Sequence, residues 1–128
     1  MDDKTRYWLE LSDYDLETAK AMLKSKRYLY VGFMCHQSIE KILKAYHSKY
    51  IQDTPPLSHS LSYLSNISGA DEILENYQKD FMDEIEPLNI EARYPSQKDR
   101  LFKSLTKSRC VYLIKNTEKL QQWIKRKL

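Results

Sequence analysis

Glycine is scarce, with two residues in 128. Hairpins and tight sheet turns depend on glycine at left-handed positions, so the shortage argues against a sheet-rich fold. Cysteine is equally sparse. Cys35 and Cys110 stand far apart among apolar neighbours, with no C-x-x-C pair and no histidine spaced for zinc. They are expected to be two reduced, buried thiols. No apolar run approaches the roughly 18 residues that a membrane span needs. The first residues, Met1-Asp2-Asp3-Lys4, are acidic and carry no apolar signal core. A cytoplasmic, reducing location is therefore expected. Also missing are a glycine-rich phosphate loop, a catalytic triad, paired catalytic carboxylates and a zinc ligand set, so no cofactor and no metal is expected.

What is present is helical periodicity. A length of 128 residues suits one domain, residues 1–128, with one core. Charged residues make up 30% of the chain, but 41% apolar content at helical spacing argues against disorder. A first helix is expected over residues 3–25, with Trp8, Ser12, Leu16, Ala19 and Leu23 inward. Asp15 sits at the edge of that stripe, as a buried acid, an exposed one or a partner for another helix. A second helix is expected from Tyr28 or Leu29 to Tyr50. Gly32 near its start calls for a reason, and close approach of the first helix would supply one. Asp53-Thr54-Pro55-Pro56 ends it.

Ser58 can cap a short third helix through Leu61, Leu64 and Ile67. Asp71 is the expected N-cap of a fourth helix that buries Leu74, Tyr77, Phe81 and Leu88, and Pro87 should kink or split it. Arg93-Tyr94-Pro95-Ser96-Gln97 reads as a loop, because Pro95 disfavours helical geometry at Tyr94. A last helix from Asp99 to about Lys127 carries the stripe Phe102, Thr106, Cys110, Leu113, Thr117, Leu120 and Ile124. Four long helices and one short one, joined mostly by short connections, predict an all-α, up-and-down antiparallel bundle.

Charge is unevenly spread under a net +3. Residues 98–128 hold ten Lys or Arg against two acids, while residues 71–91 hold eight acids against one lysine. Either an acidic and a basic helix lie antiparallel and help each other dock, or the basic end offers a surface to phosphate-bearing partners.

The chain is organised around Met34 to His47. Ile39, Ile42, Leu43, Tyr46 and Tyr50 recur at three- and four-residue steps and form one apolar stripe. Gln37, Glu40, Lys41 and Lys44 fall on the other side, with Glu40 four residues ahead of Lys44, the favourable order for an ion pair. That side is either a solvated face or a functional one. Gln37-Ser38-Ile39-Glu40-Lys41-Ile42-Leu43-Lys44-Ala45 resembles the signature helix of the HEPN domain family of higher eukaryotes and prokaryotes. There a Q-x-x-E-K-x-x-K-A helix precedes a proline-containing turn and a histidine. Pro55-Pro56-Leu57-Ser58-His59 matches that turn. Glu91-Ala92-Arg93-Tyr94-Pro95 resembles the A-R-Y-P end of the family's fourth helix, and Tyr7-Trp8, Asp15-Leu16 and Ala19 fit its first. These matches span about residues 7–125.

The resemblance implies a helical bundle, a homodimer, a nucleotide or RNA ligand, and work beside a small nucleotidyltransferase in toxin–antitoxin-like modules. Many family members are metal-independent ribonucleases that use an arginine and, four to six residues later, a histidine. Here Arg27 and His36 are separated by eight residues, no other such pair is closer, and no arginine after His59 is followed by a histidine. The motif is absent, which argues for a non-catalytic binding module over a divergent ribonuclease toxin. A purely structural interaction bundle is a third class.

No catalytic residue is assigned. Lys41, Lys44, Arg93 and Tyr94 are the expected nucleotide- or phosphate-binding set, with Gln37, Glu40 and His59 in support. An arginine followed by an aromatic ring can hold a phosphate and stack its base. Arg93 can equally pair with Glu86, Glu91 or the carbonyls at the helix end. His36 and His47 are three turns apart on one helix, too far to share a metal, and read as ordinary polar residues. His59 either bonds a loop carbonyl or meets a ligand.

Overall fold

The computed structural model describes residues 1–91 and 98–128. Six α-helices follow in order: α1 (Asp3–Lys24), α2 (Tyr28–Tyr50), α3 (Leu61–Ser68), α4 (Asn76–Glu91), α5 (Lys98–Ser104) and α6 (Lys107–Lys125). No strand occurs among the described residues. The expected loop over Arg93–Gln97 lies outside them, as does the side chain of Phe102.

Local chemistry places the ends. Asp2 caps α1 by accepting from the Thr5 N–H at 2.7 Å. The exit from α1 has no glycine. Lys26 takes the left-handed conformation instead (φ 64°), and the Arg27 N–H closes back on the Met22 carbonyl at 2.7 Å. Ser60 caps α3 rather than Ser58, whose hydroxyl accepts from the Ser60 N–H. Asp71 does not start α4. It sits in a 3-10 turn, Ala70–Glu72, and accepts from Ser65. α4 begins at Asn76, where Gln78 reaches back to the Glu75 N–H at 2.8 Å. Pro87 does not split α4, which continues to Glu91. The expected single last helix is two. Thr106 stands exposed at the break, where its hydroxyl accepts from the Arg109 N–H and caps α6.

α2 is the axis of the bundle and packs against α1, α3, α4 and α6. Ile39, Ile42 and Leu43 are fully buried in one core cluster with Leu113, Leu120 and Ile124, and Leu16 is buried as well. α1 and α2 run antiparallel and approach closely at two serines. Ser12 Oγ donates to the Ser38 carbonyl at 2.7 Å, and Ser38 Oγ returns the bond at 3.0 Å. Gln121 of α6 joins this knot through Ser12 and Asp13. Gly32 has its reason in α4 and not in α1, because a Cβ there would lie 2.9 Å from Leu88 Cδ1. Tyr50, expected on the apolar stripe, is half exposed and donates to the Lys127 carbonyl.

α2 and α6 start together and end together. Cys110 lies by Tyr28 at one end, and Lys49 and Tyr50 meet the chain end at the other. In an up-down-up-down order they are the parallel diagonal pair, yet they pack face to face. α4 and α6 meet only locally. Cys35 and Cys110 are buried free thiols, pushed up by that burial to about 12 and about 11.

Candidate functional site

The second side of α2 is not solvated. His36, Gln37, Glu40, Lys44, His47 and Ser48 are all buried. A helix buried all round is normally apolar all round. Here polar groups are buried and must find partners within the protein.

For Gln37, Glu40 and Lys41 the partners come from α1, from α4 and from His59 just before α3, while His47 Nδ1 and Ser48 Oγ have no hydrogen-bond partner among the described residues. Lys41 Nζ donates to Asp15 Oδ2 of α1 at 2.8 Å and to Gln37 Oε1 at 3.3 Å. Asp15 is thus a helix-pairing acid, 11% exposed against 17% for Lys41. The Gln37 amide donates to Asn89 Oδ1 of α4 at 3.0 Å. Lys44 Nζ donates to Glu40 Oε2 at 3.1 Å, one turn back as the spacing predicts, and lies 5.2 Å from the Trp8 ring centroid. Glu40 and Lys44 are 2% and 6% exposed, so this ion pair is an interior one.

His59 and Glu86 close the cluster. Glu40 Oε1 accepts from His59 Nδ1 at 2.8 Å. A carboxylate only accepts, so the proton sits on Nδ1, and the ring itself is half exposed. His59 therefore bonds a carboxylate rather than a loop carbonyl. Glu86 Oε2 accepts from the Leu61 N–H at 3.0 Å and so tethers the start of α3 to α4. His36 is fully buried, with Nδ1 3.4 Å from the Gln37 amide. Its Nε2 lies 3.4 Å from the same Glu86 oxygen without the alignment of a hydrogen bond.

Asp15 and Glu40 balance Lys41 and Lys44, Glu40 also holds His59, and Glu86 lies by His36. Together they form a rigid polar cluster with one side chain, His59, that reaches well into solvent. Of the expected site residues, Gln37, Glu40, Lys41, Lys44 and His59 are brought together. Lys41 and Lys44 have their ammonium groups on internal carboxylates. Arg93 and Tyr94 lie outside the described residues. Sequence reasoning did not foresee His36, Glu86, Asn89 or Trp8 here. The i, i+4, i+8 row of His36, Glu40 and Lys44, and the three-residue step from Glu86 to Asn89, were the available signals. Among the described residues no helix is long and apolar enough to cross a membrane, and no His, Cys, Asp and Glu group could hold a metal.

An all-helical bundle whose central helix carries Q-x-x-E-K-x-x-K as a buried, cross-braced row defines a recognisable class. The chain belongs to the HEPN domain family, whose model matches residues 5–127. Its fold is similar to that of TT1696 from Thermus thermophilus, with a TM-score of 0.84 and 20% identity, covering 99% of this chain and 100% of that one. No curated protein matches the chain.

Proposed function

We propose that the chain is a non-catalytic nucleotide- or RNA-binding HEPN module of the cytoplasm. Membership of the family supports a nucleotide- or RNA-related role in general. The observation that carries the finer reading is the half-exposed imidazole of His59, anchored through Nδ1 on the buried Glu40. The Asn89–Gln37 bond ties the last turns of α4 to the same face of α2, and Arg93 and Tyr94 follow Asn89 by four and five residues. His59, Arg93, Tyr94 and the rim of Lys41 are the proposed contacts. Gln37, Glu40 and Lys44 hold the frame, since Lys44 is buried against Glu40 and Trp8. The module works as a homodimer beside a small nucleotidyltransferase in a toxin–antitoxin-like or regulatory system.

Titration with a mononucleotide and with short single-stranded RNA at two salt concentrations tests this. Phosphate contacts release counterions, so affinity must fall as salt rises. Arg93→Ala should weaken binding and flatten that dependence. If Arg93 only ties down the end of α4, the variant instead melts lower, and the wild type shows no salt-dependent binding.

A divergent ribonuclease is the second reading, and the Glu40–His59 pair is what favours it. A carboxylate-oriented imidazole can move the proton of an RNA 2′-hydroxyl. Incubation of the purified protein with RNA in EDTA separates the readings. No cleavage is expected, and cleavage lost in His59→Ala would promote the second.

A further inference from the structure

α4 and α6 touch where Phe81 and Tyr112 pack edge to face, with ring centroids 6.2 Å apart. There Tyr112 also donates to Glu84 Oε1 at 2.8 Å. Beyond that contact a groove of about 690 Å³ lies between the two helices. Its floor is Phe81 and Leu120, both buried. Its walls are Tyr77, Tyr112 and Trp123. Tyr77 was expected in the core, yet it is 64% exposed, and Tyr112 is 44% exposed.

The groove has two ridges of opposite sign. α4 contributes Asp80 and Glu84, and α6 contributes Lys119 and Arg126 together with Glu118, whose carboxylate is already paired with Lys20 of α1. The acidic and basic segments were candidates to neutralise each other within the chain. Among the described residues no ion pair joins these two helices. Asp80, Lys119 and Arg126 are exposed and have no partner there.

We infer that this groove is the face through which two copies of the chain associate, the acidic α4 of one copy against the basic α6 of the other. A two-fold contact presents the same patch from both partners. A patch with one acidic and one basic ridge is then its own complement when the two-fold axis runs along the groove, because that rotation lays each ridge on its opposite. A different occupant would have to carry both signs at the same spacing, which a second copy does in that orientation. Exposed tyrosines beside a tryptophan provide the apolar centre that such interfaces need. The inference rests on the homodimer named above and adds its surface. It does not depend on nucleotide binding.

The test is light scattering of the full-length protein after size exclusion, over a concentration series. Wild type should run at twice the 15.3 kDa chain mass. Asp80→Lys and Arg126→Glu place like charges across the axis and should each weaken the dimer by about tenfold or more. The double variant D80K/R126E keeps one acid and one base and should recover part of that loss. Tyr77→Ala should also weaken it. All of these positions are solvent-facing, and circular dichroism confirms the fold of each variant. A wild-type monomer at all concentrations overturns both the homodimer and this face. A dimer indifferent to Asp80→Lys, Arg126→Glu and Tyr77→Ala overturns the face and leaves the homodimer standing. Nucleotide titration of the same samples reports separately on the binding reading.

Discussion

Replacing Lys44 by Met should be far more damaging than loss of a surface charge. The Glu40 and Lys44 side chains are 2% and 6% exposed and 3.1 Å apart. Removing Lys44 leaves a buried carboxylate held only by His59, which costs up to about 3–5 kcal/mol. An exposed pair at the same spacing would cost about 0–1 kcal/mol. Methionine keeps much of the volume over Trp8, so the cavity contribution is small and the charge contribution dominates. With a urea slope of about 1–3 kcal/mol per molar, the midpoint should drop by up to about 2 M.

His59 also bonds Glu40 and remains as a partial partner. Lys44→Met with His59→Ala should therefore be worse than Lys44→Met alone. The converse arm is Glu40→Leu combined with Lys44→Met. That double change removes both charges together and should recover most of the lost stability, because an apolar pair of similar volume replaces a desolvated ion pair. Urea unfolding followed by circular dichroism, with the four corners of the cycle, is the assay. A Lys44→Met midpoint within experimental error of wild type would refute the claim that the α2 charges are interior. So would a double variant no better than the single.

Three further outcomes follow from the packing. Leu43→Ala, at the fully buried centre of α2, should cost about 2–5 kcal/mol in the same assay. Gly32→Ala should change stability by no more than about 1 kcal/mol, because its methyl meets only the end of the Leu88 side chain at 2.9 Å and alanine's better helix propensity offsets the shift that contact requires. A loss of several kcal/mol would show that Leu88 cannot give way. Both thiols should resist a thiol reagent at pH 8 until the protein is unfolded. Their folded values lie above the ordinary 9.0, at about 12 for Cys35 and about 11 for Cys110. Stability linked to them is thus intact below pH 9 and falls as pH rises from 9 toward 12. Fast labelling of the native protein would contradict this.

The apolar half of α2 was legible in the sequence because its period matches one helix face and nothing competes with it. Ile39, Ile42 and Leu43 are buried as that period requires. Its polar half was not legible as interior, since periodicity reports which residues share a face and not what lies opposite. Asp15, Asn89 and Glu86 come from helices distant in the chain, and only the tertiary structure brings them to Lys41, Gln37 and Leu61. Gly32 illustrates the same limit, for a close approach was inferred and the wrong helix was named. The break before α6 was missed because Thr106 falls on the apolar register of the stripe that continues through Cys110 and Leu113. Its hydroxyl serves as a cap and not as a core group. Tyr77 was placed in the core by period alone, but the gap between α4 and α6 leaves it facing solvent.

Amide and imidazole chemical shifts, followed while a mononucleotide or short single-stranded RNA is added at low salt, test the binding reading most directly. The account predicts shifts at His59, Lys41, Arg93 and Tyr94 that saturate with ligand and fade as salt is raised. No shift at those positions, or shifts confined to Tyr77, Tyr112 and Trp123 in the groove between α4 and α6, would contradict it.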